Sequence, residues 1–202
     1  RIERVRYNLG GEGFLNTVNY TYLNDSQYGE TYFVSGYTSN ISGVITTYNY
    51  TNDSNGNITK ITCGDGREIR YYYDDLSQLI REDNGLLNAT FVYSYDRSGN
   101  ITQKNMYRIV NEGTEPTSPM QSIAYTYTDS NWSDLLTSFG GHTIVYDEIG
   151  NPTSYYNGYS YSFTWEGRKL ASASRGTYSI SYTYGENGLR SSKTIGDVTT
   201  NY

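Results

Sequence analysis

The feature that most constrains this chain is a short turn sequence, Tyr95 to Asn100, set between two runs of strand-forming residues. The Asp96 carboxylate can accept a hydrogen bond from the backbone two residues further on. Gly99 can adopt a positive φ angle without a Cβ clash. Together these residues predict a β-hairpin closed by a type I turn and a bulge.

The same turn sequence recurs along the chain. Tyr146 to Asn151 repeats it, and Tyr184 to Leu189 repeats it with Gly185 in place of the aspartate. Tyr73 to Leu79 has serine and glutamine where the first copy has glycine and asparagine, and Tyr50 to Ile58 is a looser copy with a turn two residues longer. We expect the matched positions to be structural repeat turns: Tyr73, Asp74, Tyr95, Asp96, Gly99, Asn100, Tyr146, Asp147, Gly150, Asn151, Tyr184 and Gly188.

The segments between these turns alternate aromatic and hydroxyl side chains. Tyr159 to Trp165 places rings at every second residue with serine and threonine between them, and Tyr178 to Tyr184 has a similar alternation. A period of two directs successive side chains to opposite faces of a strand. These segments therefore predict strands with one aromatic face and one hydroxyl-rich face.

The repeat extends over most of the chain. Matching aromatic residues at positions 50, 73, 95, 127, 146, 165 and 184 lie 19 to 32 residues apart, and the long interval indicates an inserted loop at about 106–122. Well over ten strands in series twist and curl rather than stay flat. We therefore predict one all-β domain over residues 1–202, an antiparallel meander forming a twisted spiral sheet that is part of a shell or partial barrel.

The turn sequence resembles the signature of the YD-repeat, or RHS-repeat, family: Tyr-Asp, two variable residues, Gly, Asn or Arg, then Leu or Ile. Tyr95 to Ile101 matches this signature in full, and Tyr146 to Asn151 matches it up to Pro152, which replaces the aliphatic residue. Tyr161 to Leu170 is a shortened copy. The resemblance covers about three-quarters of the chain, from Tyr48 onward.

Known members of that family include bacterial polymorphic toxins, insecticidal toxin complexes, wall-associated proteins and animal teneurins. The resemblance implies a β-sheet strip that spirals into a hollow shell, which in the toxins encloses a C-terminal toxic domain. A complete shell needs more repeats than this chain has, and the family's C-terminal core motifs are missing. We therefore expect the chain to be a segment of a larger protein.

Composition argues against several classes of partner. The net charge is −6 and the 15 Lys and Arg residues form no cluster, so a surface for nucleic acid or anionic lipid is not expected. No apolar run is long enough to insert into a bilayer. Paired acids such as Asp74-Asp75 and Glu82-Asp83 are interpreted as solvated turns. The single Cys63 cannot form an internal disulfide, so a disulfide-stabilised scaffold is not expected.

Candidate catalytic and metal sites have simpler explanations. His142 is the single histidine and no nucleophile or orienting acid is placed beside it, so we interpret it as flanking a turn. Cys63 and His142 are too few ligands for a metal. The stretch from Asp53 to Asn57 has the wrong spacing for an EF-hand calcium loop and is interpreted as a polar turn. Asp74, Asp96 and Asp147 occupy one repeat position, which turn chemistry explains better than paired catalytic acids.

The aromatic ladders allow two interpretations. Cross-strand packing of rings stabilises a sheet, whereas exposed coplanar rings form platforms for sugars. Because the rings keep a period of two, packing is favoured, and Trp132, which lies outside the repeat, is expected to be the most exposed ring.

The sequence thus favours a non-enzymatic structural β-shell segment of a secreted or cell-surface bacterial protein, enclosing or presenting an effector domain. The alternative is a carbohydrate- or receptor-binding adhesin module. No cofactor and no nucleic-acid partner are expected. The expected partners are the rest of the parent protein or another copy paired at a sheet edge, with a cell-surface glycan or receptor as the alternative.

Overall fold

A computed structural model describes residues 2–8, 15–27 and 29–202 of the chain. The described residues form strands and turns. The strands in the first part of the chain are β1 (Arg4–Asn8), β2 (Leu15–Asp25), β3 (Gly29–Ile41), β4 (Val44–Asn52), β5 (Ile58–Cys63), β6 (Glu68–Tyr73), β7 (Leu79–Asn84), β8 (Ala89–Tyr95) and β9 (Ile101–Arg108). The remaining strands are β10 (Gln121–Thr126), β11 (Ser138–Phe139), β12 (His142–Thr143), β13 (Val145–Tyr146), β14 (Pro152–Tyr156), β15 (Ser160–Glu166), β16 (Lys169–Arg175), β17 (Tyr178–Tyr184), β18 (Arg190–Ile195) and β19 (Val198–Asn201).

The chain divides into two compact units. Unit 1 comprises Arg1–Ser94 and Lys104–Gln121, and unit 2 comprises Tyr95–Gln103 and Ser122–Tyr202. In unit 1, β1 to β8 pair antiparallel in sequence order. In unit 2, β10 to β12 pair in order, and β13 to β19 form a second meander. The predicted all-β antiparallel meander is confirmed, and its sheets are open. The single domain over residues 1–202 stays a prediction.

The alternation predicted for the aromatic strands is present. Along β15 the serines and Thr164 are exposed, while Tyr161, Phe163 and Trp165 are partly buried. Rings from β10, β11, β14 and β15 of unit 2 form a ladder, with centroid distances of 5.2 Å for Tyr125–Phe139, 5.6 Å for Phe139–Tyr155 and 6.0 Å for Tyr155–Tyr161. Period two thus separates the chain's rings from its hydroxyls, as expected for strands.

The segment expected as an inserted loop at about 106–122 includes residues 109–120, which lie between β9 and β10 and outside the strands. One local expectation was wrong. The acidic pair Glu82-Asp83 is not a solvated turn but part of β7, where Asp83 is 4% exposed.

Candidate functional site

The repeat turns are closed by a recurring set of hydrogen bonds. At Asp96, the backbone N–H donates to the Asn100 carbonyl at 2.9 Å, and the Gly99 N–H donates to the Asp96 carbonyl at 3.2 Å. Asp96 Oδ1 accepts from the N–H groups of Ser98 and Asn100 at 2.8 and 2.9 Å. Asn100 Nδ2 donates to Asp96 Oδ2 at 3.0 Å. We call this set of bonds the Asp clamp.

The Asp clamp recurs in both units. Asp147 holds Asn151 with bonds of 2.8 Å from both the backbone and the side-chain nitrogen. Asp74 accepts from the Leu76 and Gln78 N–H groups at 2.9 Å. At Gly185, which has no side-chain acceptor, the backbone bond to Leu189 remains at 2.9 Å. The turn backbone is therefore common to the copies at Asp74, Asp96, Asp147 and Gly185, and the carboxylate adds to it where present.

One copy of the turn is shorter than expected from the sequence. Asp53 accepts from the Asn55 and Asn57 N–H groups at 2.9 and 2.8 Å, and Asn57 Nδ2 donates to Asp53 Oδ2 at 2.9 Å. The looser turn expected from Tyr50 to Ile58 is therefore wrong, because the Asp clamp of Asp53 has the same length as that of Asp96. Its signal was present, since Asp53 and Asn57 have the same Asp-x-x-Gly-Asn spacing, but the matching tyrosine is not adjacent.

The aspartate carboxylates of these turns accept hydrogen bonds from within the turn. The hydrogen bond from the Asn100 side chain, supported by backbone N–H groups, lowers the pKa of Asp96. The Asn57 side chain does the same for the pKa of Asp53. For Asp147 the backbone N–H of Asn151 is the largest cause of a lowered pKa. Hydrolysis by a general acid and a general base requires two carboxyl groups in different environments. Asp53, Asp96 and Asp147 instead lie in equivalent environments.

The fourth position of each turn is in the left-handed region. Gly99 and Gly150 have φ angles of 86° and 82°, as predicted. Ser77 occupies the same position with φ 60°, a conformation that costs a non-glycine residue about 1–2 kcal/mol. The backbone thus keeps its geometry even where the glycine is replaced.

A second contact joins several of the repeats to the one before them. The Tyr73 hydroxyl donates to the carbonyl of Ile58 at 2.8 Å, and the Tyr184 hydroxyl donates to the carbonyl of Leu170 at 2.9 Å. Trp165 Nε1 donates to the carbonyl of Pro152 at 2.7 Å. In each case the acceptor is at or near the start of a strand that follows the preceding repeat's turn. We call these contacts the ring-to-strand bonds.

The ring-to-strand bonds accompany a bulge. The strand pairing shifts register between Tyr72 and Tyr73, between Thr164 and Trp165, and between Thr183 and Tyr184. A bulge leaves one residue unpaired and increases local twist. The register shift thus falls beside the same ring that reaches the preceding repeat.

Asparagine side chains make further contacts beyond their own turns. Asn57 Nδ2 donates to Ser77 Oγ at 3.1 Å, in the next Asp clamp of unit 1. In unit 2, Asn151 Nδ2 donates to the carbonyl of Gly167 at 2.7 Å. Adjacent turns are therefore linked side by side.

The most buried polar cluster lies in unit 1 and was missed by the sequence interpretation. Arg81 donates to both oxygens of Asp83 at 2.9 Å, and Thr90 donates to Asp83 Oδ1 at 2.7 Å. These residues are 9%, 4% and 0% exposed. Val110 N–H donates to Thr90 Oγ1 at 3.4 Å, so the inserted segment also reaches this cluster. A bidentate arginine–carboxylate pair fixes orientation strongly.

Other candidate groups are dispersed. His142 lies in β12, where its ring centroid is 3.9 Å from that of Tyr156. Cys63 is buried, at 8% exposed. Within residues 2–8, 15–27 and 29–202, histidine, cysteine, aspartate and glutamate form no group of three or more that could hold a metal ion. The same residues contain no helix of the length and apolarity needed to cross a membrane.

Trp132 is not the most exposed ring, contrary to expectation. It is 49% exposed, whereas Tyr32 is 87% and Tyr178 is 72% exposed. Its six-membered ring lies 2.6 Å from where a Cβ on Gly150 would be, so the indole covers that turn. Beside it is an open groove of about 640 Å³, lined also by Asp129 and Glu148.

No family model matches this sequence, and no curated protein matches it. Among solved structures, the chain is similar to TcdB2-TccC3-TEV, with 17% identity and a TM-score of 0.50 over 92% of this chain. It is similar to TcdB2-TccC3 without the hypervariable C-terminal region, with 17% identity and a TM-score of 0.53 over the same share. A porin-like protein from Bacteroides uniformis matches 98% of this chain and 91% of its own, at 11% identity and a TM-score of 0.39.

The chain spans 12% of the length of the TcdB2-TccC3 chains that it matches. The likeness to them supports an RHS/YD-repeat-like fold for this chain.

Proposed function

We propose that this chain is a non-enzymatic wall segment of a secreted or cell-surface bacterial RHS/YD-repeat protein, which encloses or presents an effector domain. The observation that supports this most is the ring-to-strand bond, which ties one hairpin to the hairpin before it. A bond such as that from Tyr184 to Leu170 requires only the neighbouring repeat. A sheet built in this way extends by adding hairpins, as in other repeat proteins.

The one-sided strands also support a wall. In β17, Ile180, Tyr182 and Tyr184 are partly buried, while Ser181 and Thr183 are exposed. A sheet with one aromatic and one hydroxyl face suits a boundary between an interior and water. We infer that the aromatic face is directed toward the interior of the parent protein.

Cysteine labelling tests this orientation. We would compare Ile180→Cys on the aromatic face with Thr183→Cys on the hydroxyl face, both with Cys63→Ser. The protein would be isolated with its native flanking sequence and treated with a maleimide. The proposal predicts fast labelling at position 183 and slow labelling at position 180 until the protein is unfolded. Equal fast labelling of both would contradict an enclosed face.

The proposed partners follow from the same architecture. They are the remainder of the parent protein or a second copy of the chain, paired at an outer strand such as β19, whose residues are exposed. Unpaired strand edges readily accept another strand. Light scattering over a dilution series would detect self-association, and Thr200→Pro, which removes a backbone donor, should reduce it. A chain that stays monomeric at every concentration would contradict edge pairing.

The groove beside Trp132 favours one second candidate, a carbohydrate- or receptor-binding adhesin module. A partly exposed indole near Asp129 and Glu148 offers a stacking surface beside hydrogen-bond acceptors. Binding to a neutral glycan array that Trp132→Ala abolishes would support this candidate. No binding by the wild-type chain would leave the wall as the function.

The proposal includes no catalytic step. The isolated chain should hydrolyse no peptide, nucleic acid or glycoside substrate. Turnover that His142→Ala removes would contradict a scaffold role, because that residue would then be acting on substrate.

A further inference from the structure

A small pocket opens on the aromatic face of unit 2. It has a volume of about 290 Å³, and its lining includes Ala173, Arg175, Tyr178, Ile180 and Ile195. Ala173 pairs with Phe163 on one neighbouring strand and with Ile180 on the other. A methyl group between two large side chains leaves a depression, because the neighbouring strands are spaced at a fixed distance.

Arg175 stands at the rim of this pocket. Its guanidinium carbon is 4.6 Å from the ring centroid of Tyr159 and 6.0 Å from that of Tyr178. The guanidinium therefore lies near two tyrosine rings, and an arginine against an aromatic ring can still donate hydrogen bonds through its N–H groups. In the part of the chain that the structure describes, Arg175 has neither a hydrogen-bond acceptor nor a carboxylate partner.

The environment of Arg175 differs from that of Arg81. Arg81 also lies over a tyrosine ring, 5.0 Å from the centroid of Tyr72, but its guanidinium N–H groups donate to both carboxylate oxygens of Asp83. The Arg175 guanidinium also lies near tyrosine rings but has no such acid. An arginine fork matches a carboxylate in geometry as well as in charge.

We propose that this pocket binds a small carboxylic acid with an apolar tail. The tail occupies the depression over Ala173 and Ile180, and the carboxylate accepts hydrogen bonds from Arg175. The volume is near the lower limit of about 300 Å³ for ligand pockets, so the ligand is small. This binding site is independent of the wall function proposed above.

Three six-carbon probes separate the two parts of the proposal. Hexanoate, hexan-1-ol and hexylamine would be titrated into the isotope-labelled chain while backbone amide shifts are recorded. Hexanoate should shift the amides of Ala173, Arg175 and Ile180 saturably. Hexanol should bind about tenfold more weakly, because a charge-assisted bond is lost, and hexylamine weaker still.

Two substitutions assign these effects to the pocket. Arg175→Gln should bring hexanoate down to the affinity of hexanol. Ala173→Val should weaken both hexanoate and hexanol by filling the depression, whereas Ser181→Val, on the exposed hydroxyl face, should weaken neither. Equal affinity of the wild-type chain for hexanoate and hexanol would overturn the proposal. Binding unaffected by Arg175→Gln, or reduced equally by Ala173→Val and Ser181→Val, would also overturn it.

Discussion

The β7–β8 hairpin of unit 1 and the β15–β18 sheet of unit 2 use the same repeat but different side-chain chemistry. In unit 1, Arg81 is buried and paired with Asp83. In unit 2, Arg175 and Arg190 lie over tyrosine rings at 4.6 and 4.3 Å, and Arg175 has no carboxylate partner. The difference teaches that the repeat determines turns and strand order, while the packing of each face is set locally by its own residues.

The largest expected effect comes from breaking the buried pair of unit 1. Asp83→Ala should lower the free energy of unfolding by about 3–5 kcal/mol, because it leaves the buried Arg81 charge with the exposed Glu115, 3.9 Å away, in place of its bidentate partner. Arg175→Gln in unit 2 should cost about 0.5–1 kcal/mol, the worth of an exposed cation–ring contact. Urea denaturation would measure both. Similar costs for the two variants would show that the units do not differ in this way.

A smaller effect is expected from the turn glycines, which both units share. Gly150→Ala and Gly99→Ala should each cost about 1–2 kcal/mol through left-handed strain. The cost should be larger at position 150, because a Cβ there would displace the Trp132 ring, whereas Gly99 has open space around it. Thermal unfolding and tryptophan fluorescence would report this. If Gly150→Ala leaves the emission spectrum unchanged, the indole does not cover that turn.

Equal effects in the two units are expected from the ring-to-strand bonds. Tyr73→Phe in unit 1 and Tyr127→Phe in unit 2 each remove one donor, to Ile58 and Ile101. Each should cost about 0.5–1.5 kcal/mol, the usual net worth of such a bond. Tyr155→Phe, which removes a hydroxyl but mainly keeps a ring contact, is the control. A loss confined to one unit would show that the bond is not a general feature of the repeat.

The smallest effect is expected from pH. The pKa values of Asp53, Asp96 and Asp147 are lowered in the fold, so their contribution to stability is present above the unfolded value of about 3.9. It is lost as pH falls through the lower folded values. Urea midpoints measured downward from pH 5 should therefore fall.

Asp96→Asn should reduce the acid dependence of the urea midpoint, because it removes the carboxylate that the Asn100 side chain and backbone N–H groups stabilise. A pH profile identical to that of the wild-type chain would mean that the Asp clamp does not depend on charge.

What could be predicted from the sequence was local. The positive φ angles of Gly99 and Gly150 were predicted correctly because each depends on residues within its own turn. The fold class was predicted because strand alternation and turn spacing both repeat. The turn at Asp53 was expected to be two residues longer because Tyr50 was taken as its first residue, although the spacing from Asp53 to Asn57 is the same as that from Asp96 to Asn100.

What could not be predicted depends on distant residues. The burial of Asp83 requires Thr90 on the paired strand and backbone from the inserted segment near Val110. The charged residues around Asp83 in the sequence do not indicate that these distant residues will contact it. Similarly, the contact of Trp132 with Gly150 joins two loops, and no local pattern indicates it.

Amide hydrogen exchange tests the central claim, that the Asp clamp is the shared structural unit of the repeats, most directly. The N–H groups of Asn57, Asn100 and Asn151 donate to aspartate carboxylates within their turns. We predict that these amides exchange slowly, at rates similar to those of neighbouring strand amides, in unit 1 and unit 2 alike. The Asp197 amide, in a turn without the Asp clamp, should exchange rapidly. Rapid exchange at all three asparagines would contradict the claim.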